Sequence, residues 1–578
     1  MNQHTTLTFR PSRLAAALAL ALTFATGPVT AQPAAPTDNA TINLIRLLVE
    51  QGVLKQDQAD ALVKQATAEA AQAKSAATSG GAALAQPGDV RVPYIPETVR
   101  DQIRDEVKTE VMAQAQAENW AQPNTFPDWV SRITVEGDVR VRGESRGFNS
   151  GNSNEVIDFA ELNASGPYDV NTDTNAGYPP LLNTRRDRRN LARVRARLGV
   201  RAEISEQWTA GIRLATGSDD SPVSTTQTLG GGMSKKDIWL DQAYLSYRPA
   251  TWATVTAGRF SNPFLSTDLL YSGDLNFDGA AAIFKHPLPG RNVTLFGTLG
   301  GFATEYAHSP WTSAEFSEGE SENKWLLGGQ FGAEWKINER NSLRGALAYY
   351  HFDNIAGQRS SQCDGPWYGE GCDTDWSRPA FMQKGNTVFL LRDIALNPNA
   401  QGPGGTVGPQ YTALPQYVGL ASKFNLLDLN LRWDTRVMSG LGLRLSGNYI
   451  RNLAYDEDKM WSRSAGQIVN NLDNDGELES GPNAWMLHAA LGNGFDMRNK
   501  GDWQVFAGYK YIEPDSMPDG YNDSSFHLGG TNARGYYLGG SYAFDKNVYG
   551  ALRWSSSKEI YGPPMSIDVL QLEVNARF

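Results

Sequence analysis

In the stretch NLARVRARLGVR, Arg193, Arg195 and Arg197 alternate with Ala192, Val194, Ala196 and Leu198. Guanidinium groups stay protonated at any ordinary pH, so this spacing supplies a fixed positive field rather than acid or base chemistry. On an extended chain the arginines share one face and the apolar residues the other. Arg140, Arg142 and Arg213 have the same parity on neighbouring segments and extend the basic row. Asp268, Asp274 and Asp278, in or near one connection, offer opposite charge; leaning toward the row, they would make the field across it transverse. The competing reading is that the arginines pair with Glu136, Asp138 and Glu144 and solvate a wall.

Other reactive groups form no catalytic set. Acyl or phosphoryl hydrolysis needs a nucleophile and a base held together. The six histidines are scattered, and His488 alone has the parity of the basic row. DNDGELE, with Asp473, Asp475, Glu477 and Glu479, lacks the twelve-residue calcium-loop spacing and reads as a solvated acidic loop. No metal, no cofactor and no enzymatic activity are expected. Cys363 and Cys372, close together in a Gly- and Asp-rich segment of an exported chain, are expected to form a local disulfide.

Export is read from the N-terminus, where Arg10 and Arg13 precede LAAALALALTFATG and small residues end at Ala31. Residues 1–31 are therefore expected to be a signal peptide. The 578-residue chain has a formal charge of −11, and losing Arg10 and Arg13 makes it more acidic, which excludes a nucleic-acid partner. Beyond the signal no apolar run reaches the roughly 20 residues of a membrane helix.

Two kinds of element remain to position the charges. Residues 32–130 read as a helical arm and linker, with Val99, Ile103, Val107 and Val111 forming one stripe on a charged helix. From residue 131 the period becomes two. LLDLNLRWD sets Leu427, Leu429, Leu431 and Trp433 against Asp428, Asn430 and Arg432. Sixteen such strands are expected, beginning near residues 131, 189, 207, 237, 251, 276, 291, 325, 341, 423, 440, 483, 502, 533, 547 and 567. Their connections alternate between long and short, and Trp208, Trp252, Trp335, Trp503 and Phe544 lie beside short ones. Aromatic belts and this asymmetry characterise a transmembrane β-barrel, here all-β and antiparallel over residues 131–578. A barrel of about this size is too wide for wall side chains to fill, so a water-filled lumen is expected.

With the arm LIRLLVEQGVLKQDQADAL, the motif AGRFSNPFLSTDLLYSGDLNFDGAA and a terminal phenylalanine on an alternating strand, the chain resembles bacterial outer-membrane porins, specifically large porins with an N-terminal helical arm. The resemblance implies passive diffusion of small hydrophilic solutes, a homotrimer in outer-membrane lipid and lipopolysaccharide, and a periplasmic arm. It also implies that Phe578 is read by the barrel-assembly machinery. Such porins fold their third external loop into the lumen. Residues 260–275 are short for that task, which argues against a deep constriction. A rival expectation is an adhesion protein whose arm tethers the envelope and whose 354–422 connection binds outside partners.

Overall fold

The computed structural model describes residues 128–184, 189–306, 322–364, 371–438 and 440–578, together with Lys64 and Val107. The chain divides into two compact units, Met1–Gln122 and Pro123–Phe578. The signal segment lies outside the described residues, as does nearly all of the expected arm. Of the first unit only Lys64 and Val107 are described, both helical.

The second unit is a closed antiparallel barrel of sixteen long strands. In chain order they are β1 (Ile133–Phe148), β2 (Arg189–Glu203), β3 (Trp208–Thr216), β4 (Ile238–Ala250), β5 (Ala253–Ser261), β6 (Asn276–Pro287), β7 (Val293–Glu305) and β8 (Lys324–Lys336). There follow β9 (Asn341–Asp353), β10 (Phe424–Met438), β11 (Leu441–Asn452), β12 (Asn483–Gly492), β13 (Trp503–Ile512), β14 (Ala533–Asp545), β15 (Val548–Glu559) and β16 (Ser566–Arg577). Each strand pairs with its chain neighbours, and β16 closes on β1 from Asp138↔Arg577 to Phe148↔Ile567. Closure leaves no unpaired sheet edge, which hydrocarbon would penalise by several kcal/mol per group. The terminal Phe578 continues the seam, exchanging backbone hydrogen bonds with Gly137, both 3.0 Å. Its ring lies where a Cβ on Gly137 would be, 2.5 Å away, so glycine is what lets it pack over β1.

Alternation explains the outer wall. Val139, Val141, Leu198, Ile212, Leu429 and Leu431 are exposed to the surroundings, as a lipid-facing row must be. Near the short turns Trp208 stacks on Tyr247 at 4.5 Å, Trp252 on Phe284 at 6.1 Å, and Phe544 packs edge-on to Tyr542 at 5.6 Å. Amphipathic rings at one end of the strands form an interfacial belt.

The inner row holds a departure from a lumen filled only by water. Along β10 its residues pass from Arg432 and Asn430 through Asp428 to Leu426 and Phe424, the last three fully buried. Phe352, Ile450, Met486 and Ile512 continue the apolar zone on other strands, and the external loops supply its partners: Leu162, Val223, Leu269, Leu270, Val388, Val418, Met517 and Phe526 share one core with them. The outer half of the barrel is thus packed with inward-folded loops, and the polar lumen belongs to the turn-side half.

Loop 5 (354–423) is stapled internally. Cys363 and Cys372 are bonded, with Cα atoms 5.9 Å apart. Arg392 grips Asp375 with two guanidinium nitrogens, at 2.9 and 2.5 Å, and lies 4.8 Å over the Tyr417 ring. A buried pair of this geometry, with both charges hydrogen-bonded, fixes the conformation of the segment around it.

Candidate pore constriction

Loop 3 (262–275) leaves β5 and crosses the lumen, contrary to the expectation from its length. Leu265 donates its backbone N–H to Gln330 Oε1 on β8 at 2.7 Å and accepts from Nε2 at 2.9 Å. Thr267 Oγ1 donates to Asn448 on β11, and Asp268 pairs with Lys510 on β13 at 3.0 Å. Fourteen residues suffice because apolar anchors replace length: Leu269, Leu270 and Tyr271 are 0%, 1% and 3% exposed. Phe264 packs edge-on to Tyr350 at 5.1 Å and occupies the space above Gly328, where a Cβ would meet its ring at 2.6 Å. Such close approach is a recognised use of glycine within a strand.

The loop then returns to the basic row. Asp274 lies 3.3 Å from Arg195 and 3.2 Å from Arg197, while accepting from the N–H and hydroxyl of Thr225 in loop 2 (217–237) at 3.1 and 3.0 Å. Burial raises the affinity of the Asp274 carboxyl for a proton, but Arg195 and Arg197 more than offset it, holding its pKa below the usual carboxylate value. Asp138 takes the other side of the same arginines, 2.8 Å from Arg195 and 2.6 Å from Arg197. Arg193 meets Glu144 at 3.4 Å, Arg142 meets Glu573 at 2.8 Å, Arg140 lies 3.8 Å from Glu573, and Arg213 pairs with Asp241 at 2.5 Å. Ladder and ion-pair network are therefore the same object. Glu136, the third expected partner, is exposed and makes none of these pairs. Asp278 is a correction: it alternates with the inward Phe277 and faces Arg259 across the β5–β6 ladder at 2.7 Å. Its charge is matched by Arg259 and not by the arginine row.

Loop 3 leaves a second basic wall facing it. Arg344, Arg432, Arg444 and Arg553 line a cavity of about 400 Å3 with His488, Asn430 and Asp268. Asp434 serves both Arg432 at 3.0 Å and Arg444 at 2.6 Å, Arg553 is 3.6 Å from Asp523, and Arg344 makes no ion pair among the described residues. His488 Nδ1 is 3.0 Å from the Tyr537 hydroxyl, and His488 stands opposite Ser446 in the β11–β12 register. Lys510, Arg553 and Glu573 were missed as site residues, although the parity of β13, β15 and β16 puts them inward.

The mouth above is latched by buried carboxylates. Asp515 in loop 7 (513–532) accepts from the Thr387 N–H at 3.1 Å and hydroxyl at 2.5 Å and from Ser480 in loop 6 (453–482) at 2.6 Å, tying together loops 5, 6 and 7. Burial pushes Asp515 up to about 6 and Asp519, one of whose oxygens has no hydrogen-bond partner, up to about 7. Burial drives His527 down to about 4, helped by the charge of Lys384. The raised carboxyls contribute stability that is complete below the unfolded value of about 3.9 and is lost as pH rises through about 6 and 7. His527 works oppositely: its contribution is complete above about 6.5 and is lost as pH falls through about 4. Two carboxyls outweigh one imidazole between these limits, so the latch loosens from pH 5 to pH 8. Proteolysis of the external loops, normalised to an unfolded substrate, should be faster at pH 8, and Asp519→Asn should narrow the difference. Equal rates at both pH values would refute the latch.

A family model described as "Putative porin" matches residues 38–578. No curated protein matches the chain. Among solved structures, OprB of Pseudomonas putida at high pH is 11% identical, with 78% of this chain and 95% of that chain covered and a TM-score of 0.40. The outer membrane channel DcaP of Acinetobacter baumannii is 10% identical, with 78% and 98% covered and a TM-score of 0.35. OmpF of Salmonella typhi in complex with daunomycin is 10% identical, with 77% and 97% covered and a TM-score of 0.36.

Proposed function

Because the chain belongs to that porin family and is a bacterial outer-membrane channel, we propose that small hydrophilic solutes cross it by diffusion, with a preference for anions set at loop 3. The observation that carries this reading is the crossing itself. Asp274 neutralises part of the arginine ladder, while Arg344, Arg432 and Arg444 keep a positive excess on the wall of the remaining passage. Fixed guanidinium charge in a narrow, partly desolvated passage lowers the cost of an entering anion and raises that of a cation. Cavities of about 400 Å3 beside loop 3 and about 330 Å3 beside Arg142, Glu573 and Arg577 suit small solutes. The energy source is the solute gradient alone.

In this reading residues 1–31 direct export, residues 32–130 form a periplasmic arm, Phe578 carries the barrel-assembly signal, and three copies associate in a membrane containing lipopolysaccharide. Recording the full chain in planar bilayers tests the channel. Discrete conductance steps with a reversal potential on the anion side in a KCl gradient are expected. Absence of steps at every voltage would overturn channel function, and a cation-side potential would overturn the proposed selectivity.

A further inference from the structure

The outer wall carries a second polar concavity that the channel does not use. It measures about 760 Å3 and lies across the external ends of β13 to β16 and β1. On these strands Tyr537, Ser555 and Ser557 are buried toward the interior, so the alternating Arg534, Tyr536, Trp554, Ser556 and Lys558 face outward. Arg534 stands directly opposite Lys558 in the β14–β15 register. Like charges placed opposite each other destabilise a sheet. Neither cation makes an ion pair among the described residues, and Arg534 Nε is buried without a hydrogen-bond partner. Asp568, opposite Ser556, lines the same concavity and leaves it net positive. Below the cations Trp554 packs edge-on to Tyr536 at 5.4 Å.

Height on the wall identifies the occupant. Arg534 and Lys558 are each one residue from the external end of their strand, and Tyr536 and Trp554 lie one and two outward positions further down. That is the order of a membrane interface, with headgroup above and acyl chain below. A second copy of the chain would have to bury two cations against itself, at a desolvation cost that its own Asp568 offsets for one of them at most. We propose that the concavity seats the phosphorylated sugar headgroup of an outer-leaflet glycolipid, with Arg534 and Lys558 on its phosphate and Trp554 and Tyr536 where sugar gives way to acyl chain. The proposal rests on the outer-membrane reading and adds a partner site to it.

The test uses the full chain in mild detergent. Its thermal stability is titrated with lipopolysaccharide, with the same glycolipid after enzymatic removal of its phosphates, and with inorganic phosphate. Lipopolysaccharide should stabilise the protein. Dephosphorylation, or the double replacement Arg534→Gln and Lys558→Gln, should weaken the apparent affinity about tenfold, the scale of one lost charge-assisted contact. A charge-retaining pair, Arg534→Lys with Lys558→Arg, should keep most of the affinity and so controls for folding. Equal affinity of the neutral double variant, or equal stabilisation by inorganic phosphate, would overturn the proposal. So would spontaneous cross-linking of a Ser556→Cys variant between copies. Bilayer conductance of the neutral variant is expected to match the parent, because its substitutions face away from the lumen. Absence of channels in the parent, with its lipid binding retained, would count against the channel reading and leave the lipid site standing.

Discussion

Asp274→Asn should move the zero-current potential in a KCl gradient further toward anion preference, and replacing Arg193, Arg195 and Arg197 together with Gln should move it past neutrality to cation preference. The signs follow from who shares whose charge. Asp274 sits between Arg195 and Arg197, and their proximity keeps it ionised across the range in which bilayers are recorded. Removing it exposes two guanidiniums to the passage. Removing the arginines instead strands Asp138 and Asp274 without their ion-pair partners, while Glu144 keeps Arg146 at 2.7 Å. A unit charge at contact distance is worth about 1 kcal/mol even in bulk water, which corresponds to about a fivefold change in the anion-to-cation permeability ratio for the single variant. The shift should shrink from 0.1 M to 1 M salt as the Debye length falls from about 10 to about 3 Å. Identical reversal potentials for parent and Asp274→Asn at 0.1 M would remove loop 3 from the selectivity mechanism.

The barrel was legible because lipid and water press on opposite faces of the same strand. In LLDLNLRWD this leaves an unbroken period of two, and β10 occupies the expected stretch. The upper inner row was not legible in this way. Phe424 and Leu426 share parity with Asp428 and Arg432, yet face apolar loop residues distant in sequence, so their meaning depends on tertiary packing. Loop 3 offered a local clue that length obscured. The consecutive Leu269, Leu270 and Tyr271 would be costly in an exposed connection, and such a triplet marks a segment that must bury itself. Asp278 shows the converse difficulty: proximity to the loop suggested a lumen charge, but one residue of register decides which face it serves.

Releasing loop 3 should raise single-channel conductance several-fold, and Leu270→Ser with Tyr271→Ser is the way to do it. Both side chains are almost wholly buried among loop and wall residues. Large-to-small changes at such sites cost about 2–5 kcal/mol each, so the double variant removes most of what holds the loop across the lumen. The wall should survive, because its closure depends on backbone ladders between adjacent strands and on the β1–β16 seam, to which loop 3 contributes nothing. Heat-modifiable migration of the folded barrel would therefore be retained, separating loop release from failure to fold. Comparison with Asp274→Asn then isolates the two roles of the loop. Both variants withdraw Asp274 from Arg195 and Arg197 and should shift selectivity toward anions, but only the release variant opens the cross-section. Unchanged conductance with a shifted reversal potential would mean that loop 3 sets the field while the packed outer loops set the bore, and the narrowest point would then lie above Tyr271.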